Sequence, residues 1–169
     1  MKEKIHIRQA KLQDLDAIER IELENFSEEE AIAREILKDH IEKIQTTFLV
    51  AECQGQILGY LEGPVRPERY LIDSSFSEVE DLSQLEKGFI SITCLSIAKE
   101  AQGLGVGTLL LEAMKEIAVK DNRQGINLTC HDYLIPYYEK QGFTNEGLSD
   151  SQYAGEVWYN LVWENENLD

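Results

Sequence analysis

Apolar and polar residues alternate along this chain at two spacings, and the two spacings predict a series of strands and helices. Ile5 and Ile7 alternate with His6 and Arg8, which is typical of a strand with one buried face. Elsewhere apolar residues recur every three or four positions, which predicts helices with one buried face. Strands are predicted at residues 4–10, 46–53, 57–62, 89–98, 125–130 and 157–163, with a shorter one at Phe143. Helices are predicted at residues 12–26, 27–43, 109–120 and 133–141.

Capping and turn-forming residues separate these elements. Ser27, with Glu30 three positions later, forms a capping-box pattern that predicts the start of the second helix. The sequence Gln54-Gly55-Gln56 predicts a hairpin turn, and Gly142 predicts the end of the last helix. The order of elements predicts one domain over residues 1–169 of the α/β class. In this domain, helices cover both faces of a mixed, mainly antiparallel sheet.

The longest irregular stretch spans residues 65–87 and contains an acidic cluster of Glu78, Glu80 and Asp81. Long irregular segments within compact domains are commonly functional loops or mobile insertions. We expect this segment to be a loop on the substrate side of the domain.

Composition restricts the classes of function. The formal net charge of −16 argues against general nucleic-acid binding, because phosphate backbones attract basic surfaces, but it is compatible with a cationic small substrate. The three cysteines lack the spacing of a disulfide framework or a zinc site, so we expect buried free thiols and no metal. The sequence shows no apolar stretch of membrane-spanning length and no signal-peptide core near Met1. We therefore expect a cytoplasmic protein without membrane contact.

The segment from Gln102 to Thr108 contains three glycines and joins a predicted strand to a predicted helix. Such a turn directs backbone N–H groups and the positive end of the helix dipole towards an anion. A P-loop is excluded because no lysine stands near Gly107. A dinucleotide-binding turn needs a third glycine where Thr108 stands, although Asp132 could serve as its ribose-binding acid. A nicotinamide-dependent oxidoreductase stays open as a rival at this point.

Two motifs resemble those of one family. Gln102, Gly105 and Gly107 form the pattern Gln-x-x-Gly-x-Gly, which is the pyrophosphate-binding signature of the GNAT superfamily of N-acetyltransferases. Residues 135–143 (IPYYEKQGF) resemble the second conserved segment of that family, and the helix and strand between the two motifs also agree. Residues 155–159, together with the second motif, look closest to the arylalkylamine N-acetyltransferase-like branch.

The resemblance implies the acyl-CoA N-acyltransferase fold and acetyl-CoA as the cosubstrate. It implies that the strand with Leu95 diverges from the strand at residues 126–130, with the pantetheine arm in the gap and the pyrophosphate on the glycine turn. The implied cofactor-binding residues are Leu95, Ser96, Ile97, Gln102, Gly103, Leu104, Gly105, Val106, Gly107, Thr108 and Tyr138.

Acetyl transfer to an amine needs a base, a donor to the oxyanion and a group that helps the thiolate to leave. The resemblance makes Tyr138 the candidate acid and the Leu95 N–H the candidate oxyanion donor. Animal arylalkylamine enzymes carry two histidines on the preceding strand, and here those positions are Ser91 and Thr93. We take both as candidate catalytic residues lining a water chain that passes a proton to solvent or to a carboxylate. Other candidate bases are His131, Glu52 and Glu62.

The predicted function is transfer of an acetyl group from acetyl-CoA to a small primary amine, arylalkylamine-like or polyamine-like, by direct attack in a ternary complex. A protein amine is the second choice of acceptor, a non-catalytic CoA-binding GNAT module is the competing class, and a homodimer stays open. A thiol hydrolase built on Cys130 and His131 is excluded, because neighbouring strand residues point to opposite faces.

Overall fold

The structure, a computed structural model, describes residues 4–168, and this part of the chain contains nine strands and four helices. The strands are β1 (His6–Gln9), β2 (Phe48–Cys53), β3 (Gln56–Glu62), β4 (Val65–Arg66), β5 (Phe89–Ser91), β6 (Cys94–Ile97), β7 (Gly125–Cys130), β8 (Thr144–Leu148) and β9 (Tyr159–Glu164). The helices are α1 (Leu15–Asn25), α2 (Arg34–Lys43), α3 (Val106–Lys120) and α4 (Ile135–Lys140). The strand predicted at residues 125–130 is found with the same bounds, as β7.

The strands form two sheets where the sequence pattern suggested one. The first has the order β1-β2-β3-β6 and is antiparallel, whereas the second has the order β4-β5-β7-β9-β8 and includes the parallel pair β5–β7. Helices cover both faces of the first sheet: Cys94 contacts Glu22 of α1, and its neighbour Leu95 lies beside Gly107 of α3. Helix α4 packs against β8 and β9. The expected α/β class, with mainly antiparallel strands and helices on both faces, is confirmed.

The strand predicted at residues 89–98 is wrong as one element, because the chain passes from one sheet to the other in its middle. The Ile92 N–H donates to the Asn127 carbonyl on β7 (2.8 Å), and the next N–H, of Thr93, donates to the Glu62 carbonyl at the end of β3 (2.9 Å). Within the described residues, β6 then pairs with β3, and β7 pairs with β9. A gap therefore opens between β6 and β7, as the family resemblance implied.

The second predicted helix begins later than its capping pattern indicated. The Ser27–Glu30 hydrogen bonds do form (3.3 Å from the Glu30 N–H and 3.1 Å between the side chains), but they close only a single turn. The buried Ile32 then donates its N–H to the Glu22 carboxylate at 2.8 Å, which holds the chain out of helical conformation. Helix α2 therefore starts at Arg34.

One continuous hydrophobic core joins the sheets and the helices. Its largest fully buried side chains include Phe48, Tyr60, Leu110, Leu111, Met114 and Ile126. Cys94 and Cys130 are buried and Cys53 is half-buried, all as free thiols. In residues 4–168, no helix has both the length and the apolar character needed to cross a membrane.

The segment at residues 65–87 is held to the domain by specific contacts. It begins with β4, forms one helical turn at Asp73–Phe76, and ends against the buried Arg123. The Arg123 guanidinium donates to the carbonyls of Leu85 (2.5 Å) and Lys87 (2.8 Å). Phe76 reaches the cavity described below, so part of the segment lies where a substrate-side loop was expected.

Candidate active site

A cavity of about 230 Å³ fills the gap between β6 and β7. Its walls come from the junction of β5 and β6 at residues 92–95, from residues 128–131 at the end of β7, and from Tyr138 on α4. Further wall residues lie on α1, in the α1–α2 loop, on the Asp73–Phe76 turn and in the β8–β9 loop. The cavity is therefore enclosed by segments that are distant in the sequence.

One wall presents a free backbone edge. Hydrogen-bonded pairs alternate along an antiparallel ladder, and the Ala98 N–H donates to the Leu58 carbonyl at 2.8 Å. The alternation directs the backbone of Ser96 towards β3, and it directs the N–H and C=O of Leu95 and Ile97 towards β7. The backbone of Leu95 and Ile97 can therefore meet a ligand in the gap, whereas that of Ser96 cannot. The Ser96 hydroxyl is also engaged, since it accepts from Asn25 Nδ2 at 2.8 Å.

The side chain of Gln102 anchors the glycine turn to the protein. Its Nε2 donates to Asn25 Oδ1 (3.1 Å) and to the Ile97 carbonyl (3.2 Å). The same carbonyl accepts from Asn25 Nδ2 at 2.7 Å, so both of its lone pairs are engaged. Gln102 thus positions the turn, and Ile97 offers a ligand its N–H rather than its C=O.

The three glycines of the turn have different roles. Gly103 and Gly105 have φ values of +84° and +81°, a region that favours glycine, and a Cβ on either would meet no atom within 4 Å. Open space therefore lies beside these two residues. Gly107, already inside α3, would bring a Cβ into collision with the Tyr137 hydroxyl. The absence of a side chain at Gly107 therefore leaves space for Tyr137, and the contact of its backbone with a cosubstrate stays a prediction.

The N-terminus of α3 is equipped to receive an anion. Helix α3 starts at Val106, three residues before the predicted start, with Gly105 as its N-cap. No side chain caps this end and its first turn contains no acidic residue. The N–H groups at residues 106–108 lack partners within the helix, and the helix dipole adds positive potential. The side chain of Thr108 is engaged within the protein, because its Oγ1 accepts a hydrogen bond from Gln141 Nε2 at 2.9 Å. Its contribution to an anion site would therefore be its backbone N–H.

Tyr138 lines the cavity from α4 and is 8 % exposed. Its ring makes edge contacts with Tyr137 and Phe143, with centroid distances of 5.1 Å and 5.8 Å. Gly142, with φ +92°, ends the helix as predicted. Burial raises the pKa of the Tyr138 phenol well above its usual value, so the phenol stays protonated and can donate a hydrogen bond.

A buried carboxyl network forms part of the cavity wall. Tyr60 and Cys94 (3.2 Å) both donate to the Glu22 carboxylate, and burial raises the pKa of Glu22 despite these bonds. Burial also raises the pKa of the Cys94 thiol well above its usual value and that of Cys130 to about 12. Both cavity thiols are therefore held in the protonated form at neutral pH, which argues against a thiol nucleophile at this site.

The outer end of the cavity is lined by aromatic side chains from several loops. Phe76 stacks on Tyr153 with a centroid distance of 4.1 Å, and Trp158 stacks on His131 at 4.2 Å. The Tyr153 hydroxyl donates to the Glu30 carbonyl at 2.9 Å, which joins the β8–β9 loop to the α1–α2 loop. This end of the cavity therefore has an aromatic lining.

Three titratable side chains form a cluster at the same end. One ligand atom each from Glu30, His131 and Glu156 lies within 4.8 Å of the others, and His131 Nε2 is 3.5 Å from Glu156 Oε2. Such a set could hold a divalent cation or attract an ammonium group. Sequence reasoning missed this acidic rim, because its residues are far apart in the chain and belong to no motif.

The candidate proton-transfer residues occupy different environments. Thr93 lies on the cavity wall, whereas Ser91 is fully buried behind it, and the Ser91 hydroxyl has no hydrogen-bond partner in the described part of the chain. Glu62 is buried directly behind Thr93. Glu52 forms an ion pair with Arg8 (3.2 Å) on β1 and β2, away from the cavity, so this candidate base is set aside.

Comparison with known proteins agrees with this geometry. The family model described as "Acetyltransferase (GNAT) family" matches residues 13–143. The protein belongs to the GNAT family. An N-alpha-acetyltransferase of Sulfurisphaera tokodaii is 28% identical over 153 residues, which are 88% of this chain and 85% of that protein.

Solved structures share the GNAT fold. Ard1 from Thermoplasma volcanium superposes with a TM-score of 0.75 at 18% identity, covering 95% of this chain and 97% of that chain. Arabidopsis thaliana Naa50, solved with the bisubstrate analogue CoA-Ac-MVNAL, gives a TM-score of 0.73 at 15% identity, with coverages of 95% and 99%.

Family membership turns two expectations into findings. The protein is a GNAT N-acetyltransferase with acetyl-CoA as its cosubstrate, so the oxidoreductase and the non-catalytic module are both set aside. The arylalkylamine-like placement receives no support, because the curated relative that covers most of the chain is named an N-alpha-acetyltransferase.

Proposed function

We propose that this GNAT protein acetylates the α-amino group at the N-terminus of a peptide or protein, by direct attack on acetyl-CoA in a ternary complex. One observation carries the proposal: a single cavity joins the free edge of Leu95 and the Tyr138 phenol to the acidic rim at Glu30 and Glu156. Donor and acceptor can therefore be held together. The protonated cavity thiols leave direct attack as the route.

The donor end fits acetyl-CoA through backbone groups. The open space beside Gly103 and Gly105, with the uncapped N-terminus of α3, would hold the pyrophosphate. The outward backbone of Leu95 and the Ile97 N–H would hold the pantetheine arm. The bound cosubstrate supplies an activated acetyl thioester.

Tyr138 and Leu95 would act on the reacting atoms. A thiol has a pKa of roughly 8.5, well below that of the buried Tyr138 phenol, so full proton transfer from the phenol to a thiolate would be uphill. We therefore assign Tyr138 a hydrogen bond to the departing sulfur, with solvent as the final proton source. The Leu95 N–H would donate to the carbonyl oxygen as negative charge develops there.

The chemistry of the acceptor also favours an α-amine. An α-amino group has a pKa of about 7.7–8.0 against about 10.4 for a lysine or alkyl amine, so at neutral pH it offers roughly 300-fold more free base. The hydroxyls of Ser91 and Thr93 are not themselves bases at neutral pH where the arylalkylamine enzymes carry histidines, so an acceptor that is already partly deprotonated before it attacks suits this site. The acidic rim would attract the protonated fraction of that amine. The name of the Sulfurisphaera tokodaii relative points the same way.

A small aromatic amine is the second candidate acceptor. The aromatic lining by Phe76, Tyr153 and Trp158, and the cavity volume of about 230 Å³, favour a compact ring. The same lining would accept an apolar first residue of a peptide.

Steady-state kinetics with matched acceptors tests the proposal. CoA release is measured with peptides that differ in their first residue, with the same peptides blocked at the N-terminus, and with tryptamine and spermidine. We expect kcat/KM to be highest for an unblocked peptide and to vanish on blocking. A higher kcat/KM for tryptamine or spermidine than for every peptide would refute the α-amine assignment and favour the small-amine acceptor.

A further inference from the structure

A fully buried histidine–carboxylate pair lies directly behind the cavity wall. His40 on α2 and Glu62 on β3 are both 0 % exposed, and His40 Nδ1 lies 2.9 Å and 3.1 Å from the two Glu62 carboxylate oxygens. Thr93 Oγ1 donates to Glu62 Oε1 at 2.8 Å. Of these three residues, Thr93 is the one that lines the cavity, so its hydroxyl connects the buried carboxylate to the space where the substrates would bind.

A contribution to folding stability is a weak explanation for why this pair is buried. Removing two charged groups from water is costly, and apolar side chains of similar size often give equal or greater stability. The position of the pair in the fold says more about its role. The pair stands behind the junction where the two sheets separate and where Thr93 meets the cavity.

We propose that Glu62, acting through the Thr93 hydroxyl, is the general base of the acetyl transfer, and that His40 is its positioning residue. This inference rests on the proposed function. As the amine nitrogen forms its bond to the acetyl carbon, its proton passes to Thr93 Oγ1 while the Thr93 proton passes to Glu62. The C–S bond breaks, the thiolate takes a proton from solvent, and Glu62 returns its proton to solvent when the products leave.

The surroundings of the pair set a pH dependence. Burial opposes the charged form of His40, but the adjacent Glu62 carboxylate outweighs burial and raises the His40 pKa above its ordinary value of about 6.5. While His40 is charged, it neutralises the Glu62 carboxylate that the Thr93 hydroxyl also contacts. The relay therefore strengthens as pH rises through the His40 pKa. The other titratable groups that act on the pair or adjoin it, from α1, α2, β3 and β6, are Glu22, Asp39, Tyr60 and Cys94.

Variants of Thr93 test the relay with little change in shape. Thr93→Val keeps the volume and removes the hydroxyl, whereas Thr93→Ser keeps the hydroxyl. We expect Thr93→Val and Glu62→Gln to lower kcat by about 10- to 100-fold, which is at or below the lower limit of about 100-fold for general base catalysis, and Thr93→Ser to retain most of the wild-type kcat. The matched control is Thr47→Val, because the Thr47 hydroxyl also donates a hydrogen bond within the protein, to the Gly63 carbonyl at 2.6 Å, and Thr47 is buried outside the cavity.

The profile of kcat/KM against pH separates a base from a structural role. In the wild-type protein we expect kcat/KM to fall as pH drops through two pKa values, that of the acceptor α-amine at about 7.7–8.0 in every variant and that of His40, above 6.5, in proteins that keep this histidine. His40→Gln, which cannot titrate, should remove the limb due to His40 while leaving thermal unfolding and CoA binding measurable. Wild-type kcat in both Thr93→Val and Glu62→Gln, or an unchanged pH profile in His40→Gln, overturns the relay.

The relay and the proposed function fail in different ways. If the wild-type protein acetylates only small amines, the acceptor assignment fails and the same variants still test the relay on those amines. If the wild-type protein turns over peptides and Thr93→Val equals Thr47→Val, the function stands and the relay is overturned. Should Glu62→Gln fail to fold, the pair Thr93→Val and Thr93→Ser decides the question.

Discussion

The proposed donor and acceptor ends of the site are formed by different kinds of groups. At the donor end, backbone groups of Gly103, Gly105 and the start of α3 face open space, and a single local motif positions them. At the acceptor end, side chains such as Phe76, His131 and Tyr153 meet from separate loops. The donor end thus needs a defined backbone, whereas the acceptor end needs a defined tertiary arrangement.

This difference explains why the cosubstrate was easier to infer than the acceptor. Acetyl-CoA presents the same pyrophosphate and amide groups in every reaction, and backbone N–H groups suit such constant features. Acceptor amines differ in size and charge, and their recognition depends on side chains that each protein can change independently. The predictions below ask whether the two ends respond separately.

The largest effect is expected where the two ends meet, at Tyr138. Tyr138→Phe removes a hydrogen bond to the departing sulfur, which at about 1.5–3 kcal/mol for a charged partner lowers kcat by about 10- to 100-fold. Steady-state kinetics should show little change in the KM of either substrate. An unchanged kcat would exclude Tyr138 from the chemistry.

A conformational change at the donor end should weaken acetyl-CoA binding alone. Gly105→Ala places a side chain at φ +81°, which costs about 1–2 kcal/mol and disturbs the start of α3. We expect the Kd for CoA, measured by calorimetry, to rise about tenfold, equivalent to about 1.4 kcal/mol, with the acceptor KM unchanged.

Gly55→Ala is the matched control for that variant. Gly55 has φ +80°, and a Cβ there would also meet no atom within 4 Å, but it lies in the β2–β3 hairpin. The two variants should lose similar thermal stability. Equal loss of CoA affinity in both would contradict a specific role for Gly105.

Neutralising the acidic rim should affect the acceptor end alone. Glu30→Gln and Glu156→Gln each remove a partly solvated charge, so we expect the acceptor KM to rise roughly two- to fivefold, and less at high salt. The KM for acetyl-CoA should not change. Glu116→Gln, at an exposed position on α3, is the control, and a similar effect there would mean that overall charge rather than the rim attracts the amine.

The smallest effect is expected from the side chain of the motif glutamine. Gln102→Met keeps the length and removes the hydrogen bonds to Asn25 and Ile97, which costs about 1 kcal/mol of unfolding free energy. Because those bonds act within the protein, the Kd for CoA should change by less than about twofold. A tenfold loss of CoA affinity would show that Gln102 contacts the ligand directly.

The sequence predicted the features of the fold that depend on local patterns, and it did not predict those that depend on tertiary contacts. The strand at residues 125–130 and the end of the last helix at Gly142 depend on local patterns, and both were predicted correctly. The point at which the chain leaves one sheet for the other, between Ile92 and Thr93, could not be predicted from an apolar run, because it depends on which strand accepts each backbone N–H. The late start of α2 likewise depends on a bond from Ile32 to Glu22.

The candidate site shows the same limit. Tyr138 and the glycine turn were predicted from short motifs; Tyr138 lines the cavity, and the turn forms the uncapped start of α3. The acidic rim and the His40–Glu62 pair join residues that are far apart in the sequence, so spacing carried no signal for them. Glu62 was one of two candidate carboxylates, and its burial beside His40 and Thr93 distinguishes it from Glu52, which pairs with Arg8 away from the cavity.

The most direct test of the account uses one peptide that carries both a free α-amino group and an internal lysine. The peptide is incubated with acetyl-CoA and the wild-type protein, and tandem mass spectrometry locates the acetyl group. We predict acetylation at the α-amino nitrogen, with none at the lysine while the N-terminus is free. Acetylation of the lysine, or an unmodified peptide under conditions in which tryptamine or spermidine is acetylated, would contradict the account.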